Sequence, residues 1–155
     1  MKKKRTTMDE ATVAFRQRSA RLLLQLYDQR RDPALRSARD WFAFEFQPAS
    51  ARDIAALWVS HDSAQYRMVT TYWEMAASFV TAGAIDAAMF HAANTEYVAV
   101  WAKMAPHIVE LRKIAELPDY LENLEKVIAG IPDEGQKLAS MQKYLSHPAR
   151  RKAGF

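Results

Sequence analysis

The stretch YRMVTTYWEMAASFVTAGA, residues 66–84, decides how this chain folds. Wound at about 100° per residue, it gathers Arg67, Thr70, Thr71, Glu74, Ser78 and Thr81 onto one narrow strip. Tyr66, Met68, Val69, Tyr72, Trp73, Met75, Ala76, Ala77, Phe79 and Val80 take up the rest of the circumference. A helix so apolar must be covered on most sides by other elements. It is read as the central helix, about residues 63–83, of an all-α bundle. Its polar strip is the first place to look for function.

Composition agrees. A chain of 155 residues suits one domain with room for a sizeable core. Half the residues are hydrophobic, and four Trp, six Tyr and seven Phe argue against disorder. Glycine and proline are few and alternating Val/Ile/Thr runs are nearly absent, which favours helix throughout. The absence of cysteine excludes disulfides, thiolate zinc sites and cysteine catalysis, and fits an intracellular compartment.

The net charge of +4 belongs to the ends of the chain. Of the 22 cations, seven lie in acid-free tails, which leaves 15 against 18 acids, net −3, in the body. The tail cations are Lys2, Lys3, Lys4 and Arg5, and Arg150, Arg151 and Lys152. The expected organisation is a basic tail at 1–7, one helical domain at 8–145 and a second basic tail at 146–155. Basic tails can touch nucleic acid or anionic lipid, but termini are usually unordered. No apolar run approaches the roughly 20 residues of a membrane span, and charges at Asp9, Glu10, Arg16 and Arg18 interrupt any signal-peptide core. The reading is a cytoplasmic protein without membrane insertion.

Along the chain, Ala11, Phe15, Leu22 and Leu26, widened by Leu23 and Tyr27, stripe a first helix over about 9–29. Asp32-Pro33 opens a second, to about 46, with Leu35, Ala38, Phe42 and Phe46 inward. Ser50 with Asp53 resembles a capping box before a third, about 51–59. The segment His61-Asp62-Ser63 is placed to cap the central helix, and Gly83 to end it in a left-handed conformation. A short helix follows at about 86–93. Tyr97, Trp101, Met104, Ile108 and Leu111 form the stripe of the next, with a kink or break at Pro106. Pro118 opens another, closed by Gly130, and a last helix covers about 134–145. Six or seven helices are expected in all, with 97–115 as the main partner of the central one.

Arg112 falls inside the apolar sector of its helix, and Glu74 lies on the strip of the helix expected to face it. A charge near a core persists when paired and costs heavily when alone. Glu74 and Arg112 therefore form either a structural bridge or, with Arg67, Thr70, Thr71 and Ser78, a pocket for an anion or small ligand. No catalytic residue and no cofactor is indicated. His107 and Glu110 place two possible ligands one turn apart, but di-iron bundles use paired Glu-x-x-His motifs with further Glu residues; none occurs here, and His61, His91 and His147 lack ligand spacing, so no metal is expected. The four glycines form no phosphate-binding loop, and the consecutive Ser60-His61-Asp62 cannot meet as a triad. A helix-turn-helix over residues 54–73 would present an apolar reading helix with one basic residue, Arg67, from an acidic body.

Tyr72-Trp73-Glu74-Met75, then Gly83, Ile85, Asp86 and Phe90, then Trp101, Pro106 and Arg112, resemble the pattern of a bacterial helical family, the domain of unknown function DUF4760. The resemblance spans about residues 22–128. It implies a shared helical fold with Glu74 and Arg112 in its framework, and no assigned activity. Many members look anchored by an N-terminal hydrophobic helix; with only residues 1–7 before helix one, no membrane role is carried over. The first expectation is a non-enzymatic protein interaction or scaffolding module. In that reading a homodimer would bury surplus aromatics such as Trp41, Phe44 and Trp58. The alternative is small-ligand or anion binding around Glu74 and Arg112. Nucleic-acid binding through the basic tails is the weaker alternative.

Overall fold

The computed structural model describes residues 8–147. Both runs of tail cations, and the expectations attached to them, lie outside this range. Among the described residues there are helices and no strands. The helices are α1 (Glu10–Gln29), α2 (Pro33–Phe44), α3 (Ala51–Leu57), α4 (Ser63–Thr81), α5 (Ala87–Ala93), α6 (Glu96–Met104), α7 (Ile108–Ala115), α8 (Glu122–Ala129) and α9 (Glu134–Leu145). The all-helical class stands, but nine helices replace the expected six or seven. The division that adds to the expected elements has a local cause: Pro106 splits 96–115 into α6 and α7, while the short α3 and α5 stand about where they were expected.

Local sequence sets most helix starts. Asp9 accepts from the Thr12 amide at 2.9 Å, and Asp32 from the amides of Ala34 and Leu35, with Pro33 in the first turn. Ser50 and Asp53 close the reciprocal capping box. Asp86 accepts from the Met89 amide at 2.8 Å. Gly83 takes φ 73, and the amides of Ala84 and Ile85 return to the Phe79 carbonyl, ending α4 as expected. At the start of α4, by contrast, Asp62 makes no side-chain cap. Pro118 does not open a helix: residues 118–121 form a turn, Leu121 is buried at φ 57, and α8 begins after it.

The core is built on α4, where Tyr66, Val69, Tyr72, Trp73, Ala76 and Ala77 are all buried. Its closest packing is against α2 and α8, and not against 97–115 as expected; α6 packs on α8 and α9, α3 on α7, and α1 on α5. The solvent side of α4 also differs from the wheel. Met68 and Met75 are exposed beside Arg67 and Thr71, while Thr70 is buried. Thr70 tolerates this because its hydroxyl donates to the Tyr66 carbonyl one turn back, at 3.0 Å.

Lys103 of α6 is only 9% exposed. Its ammonium donates to the carbonyls of Phe42 (2.7 Å), Ala43 (2.9 Å) and Phe46 (2.8 Å). The first two belong to the last turn of α2, whose carbonyls lack helical partners and carry the negative end of the helix dipole, and Phe46 follows just past its cap. The Phe42 and Phe46 rings lie below the same ammonium. One cation thus closes the end of α2 and ties α6 to it. Lys103→Met keeps the stem but strands the carbonyls. It should lower stability by about 2–4 kcal/mol, read as a fall in the urea midpoint with unchanged helical circular dichroism.

Candidate functional site

The six residues singled out on the sequence are found engaged with backbone and neighbouring side chains. On α4 the Arg67 Nε donates to the Ser63 carbonyl at 3.4 Å. Thr71 donates to the Arg67 carbonyl, and Ser78 to that of Met75. Glu74 reaches across to α8: its carboxylate accepts from the Asn123 amide (3.0 Å), the Asn123 side chain (2.8 Å) and the Leu124 amide (2.9 Å). Leu121, at the cap position of α8, has no polar side chain to do this. Glu74 is therefore the N-cap of another helix, supplied through space.

Arg112 holds the other end of the same connection. Its Nε donates to the Tyr120 carbonyl at 3.0 Å and its Nη2 to Glu125 at 2.7 Å. No ion pair between Glu74 and Arg112 occurs among the described residues; each grips the 120–125 segment separately. Tyr120 completes the joint, its hydroxyl 2.7 Å from that of the buried Tyr66 and its ring edge-on to Trp58.

A second polar centre was not legible from any wheel. Glu96, in the first turn of α6, receives Arg39 of α2 through Nε at 2.7 and 2.9 Å and again through Nη2. Arg30, at the end of α1, reaches it at 3.0 Å, and the Trp73 indole N–H of α4 at 3.2 Å. The Arg30 guanidinium also lies over the Trp73 ring. Burial pushes the Glu96 carboxyl upward, but the Arg39 hydrogen bonds, the charges of Arg39 and Arg30 and the indole together hold it below the usual carboxylate range. Beside it, burial raises the Tyr72 phenol to about 12, and its hydroxyl donates to the Leu26 carbonyl at 2.6 Å. The sequence shows only Arg30 just past α1, Arg39 in the middle of α2 and Glu96 at the first position of α6, with no short-range pattern to join them.

Two adjoining grooves run along α9. One, of about 540 Å³, is walled by His91, Tyr97, Val98, Lys137 and Met141. The other, of about 260 Å³, is floored by Arg39, Glu96 and Lys103. In the first, His91 Nδ1 and the Tyr97 hydroxyl are hydrogen-bonded at 2.6 Å. Burial, and then the charge of Lys137, keep His91 below its usual range, while burial lifts Tyr97 to about 12. The pair is a neutral one at pH 7, without an ionised nucleophile. Among the described residues no group of three or more His, Asp or Glu could hold a metal ion, and no helix is long and apolar enough to cross a membrane.

The aromatics expected to seek a partner surface are partly used at home. Trp41 and Trp58 are half-buried and packed on the core, Trp41 against Phe46. Uncovered apolar side chains occur singly, as at Val59 and Val109, and together beside a groove on α1. Its inner side packs through Ser19, Leu22, Leu23 and Leu26, and Ser19 Oγ accepts from the Asp86 amide at 2.9 Å. Leu24 is 69% exposed and Tyr27 60%, so Tyr27 faces outward and not inward as its wheel position suggested. With Ala20 and Leu23 they border a groove of about 600 Å³ against Met89, Ala92 and Ala93 of α5.

The pattern of DUF4760, a domain of unknown function, matches residues 17–131. The chain belongs to the DUF4760 family. The match takes in α2 to α8 and most of α1, and with them the Glu74, Glu96, Lys103 and Arg112 anchors. α9 lies beyond it. No curated protein and no solved structure matches the chain.

Two measurements follow from the anchors. Glu74→Gln leaves one oxygen to accept and turns an amide donor toward the α8 amides. Its thermal midpoint should fall, by an amount equivalent to about 1–3 kcal/mol. For Glu96 the folded carboxyl titrates below its unfolded value. Its contribution is therefore complete above about pH 4.3 and is lost as pH falls through the folded value. Wild type should lose stability between pH 5 and pH 3 more steeply than Glu96→Gln, which should already be weaker at pH 7 by about 2–4 kcal/mol; parallel urea titrations at the two pH values check both.

Proposed function

We propose that this DUF4760 domain is a non-enzymatic interaction or scaffolding module that works through the outer face of α1 and the adjoining edge of α5. The observation that carries this reading is the exposure of Leu24 and Tyr27 beside the apolar wall of Met89, Ala92 and Ala93. Contiguous exposed apolar surface on a soluble domain marks a contact site. The charged residues near the core support the same reading from the other side. Glu74 and Lys103 hold helix ends, Arg112 holds the turn before α8, and Glu96 ties Arg30 and Arg39 together, which is what charges do in a scaffold. A ligand or anion site on Arg67, Thr70, Thr71, Glu74, Ser78 and Arg112 is the lesser reading, because the hydroxyls, the Glu74 carboxylate and the Arg112 guanidinium already bond within the fold.

The test is site-specific photo-crosslinking in cells. A benzophenone amino acid at Leu24 should give protein-sized adducts, and the same group at the exposed Glu110 of α7 should not. Absence of any adduct from position 24, at normal abundance of the protein, overturns the proposal.

A further inference from the structure

The uncovered face of α1 is not a random scatter of apolar side chains. Glu10, Val13, Gln17, Ala20, Leu24, Tyr27 and, just past the helix, Arg31 follow one another at spacings of three and four. That repeat is the seam of a helix pair. It lies opposite the inner seam of Phe15, Ser19, Leu22 and Leu26, so occupation of the outer seam does not compete with the fold. Glu10, Val13, Gln17, Leu24, Tyr27 and Arg31 are all exposed, and Ala20 borders the groove. Arg18 points away from the seam by about 130°, while Arg21 flanks it at about 70°.

We infer that the occupant of this seam is α1 of a second copy of the chain, laid antiparallel across Ala20. This rests on the interaction-module reading and names its partner. The argument is self-complementarity. With Ala20 at the two-fold axis, the smallest side chain of the seam sits where the helices come closest. Leu24 then meets Gln17 of the other copy, and Tyr27 meets Val13. Each Arg31, held within its own chain only loosely beside Asp28 at 3.8 Å, faces the Glu10 of the other copy, since the seam carries an acid at one end and a base at the other. A parallel pair in register would set Glu10 against Glu10 and Arg31 against Arg31. Met89, Ala92 and Ala93 extend the contact from α5 on each side of the axis. A contact that repeats under a two-fold axis is isologous and closes at two copies.

The chain has no cysteine, so introduced thiols report the register without background. Val13 and Tyr27 are about 21 Å apart along one helix, beyond the reach of a disulfide. The purified full-length protein should sediment at twice its 17.7 kDa. The double variant V13C/Y27C should oxidise to a covalent dimer, whereas V13C alone should remain monomeric on a non-reducing gel. Glu10→Lys should weaken dimerisation up to about tenfold, and adding Arg31→Glu should restore it. Far-UV circular dichroism of the reduced variants, all altered at exposed positions, should match wild type and establish that they fold. Self-linking of V13C alone overturns the antiparallel register. A protein that stays monomeric at all concentrations, yet gives an adduct from position 24 to a different protein, overturns the second copy and leaves the interaction module standing. A monomer with no adduct overturns both.

Discussion

Glu96 places a carboxylate where α1, α2, α4 and α6 meet, and much of the arrangement follows from keeping it ionised. A buried carboxylate without partners costs several kcal/mol. Here Arg39 embraces it from α2, Arg30 closes from the end of α1, and the Trp73 indole donates from α4. Each partner fixes the rotation of its own helix about its axis, which apolar packing alone does not, since hydrophobic contact has no direction. Arg39 also donates through Nη1 to the Arg30 carbonyl, so the α1–α2 turn is held by the same side chain. The centre is thus a registry device, an attested use of buried ion pairs.

The other anchors share one logic. Several of the helices here have fewer than ten residues, too short to be stable alone. Their unpaired terminal groups form a larger fraction of their backbone than in a long helix. The fold answers with side chains from elsewhere: Lys103 on the carbonyls ending α2, Glu74 on the amides opening α8, Arg112 on the Tyr120 carbonyl, and Ser19 beneath the start of α5. Such contacts raise cooperativity. Loss of one helix exposes the terminus of another.

This division also explains what the sequence made legible. The starts at Asp9, Asp32, Ser50 and Asp86 were readable because a cap and its amide lie within three residues. The break at Pro106 and the left-handed Gly83 were readable for the same reason. The all-helical class and the burial of Trp73 followed from periodicity. Glu74 and Arg112 stood out as charges near apolar sectors. Their partners did not, because Asn123, Leu124 and Glu125 enter only once α8 is laid against α4. Lys103 looked like an ordinary helix lysine; nothing within four residues announces carbonyls sixty positions away. The wheel of α4 erred at Thr70 and Met68 because a threonine can return its hydroxyl to its own helix and a methionine can lie on the surface.

α1 departs from this economy. It is a twenty-residue helix with only Ser19 and Leu26 buried, and its main contact is the short α5. Ordering a residue costs about 1–2 kcal/mol in backbone entropy alone, and helices in proteins recover that mostly by burying an apolar face. The inner seam of α1 recovers it along the second half of the helix, where Leu22, Leu23 and Leu26 meet the body. Val13 lies in the first half, and the outward Leu24 and Tyr27 bury little where they stand. A helix that continues a three-and-four apolar repeat on its solvent side does not need that repeat to fold on its own body. Covering the outer seam would let the apolar side chains along α1 contribute to its stability, and the length of the helix would then be accounted for by two faces instead of one.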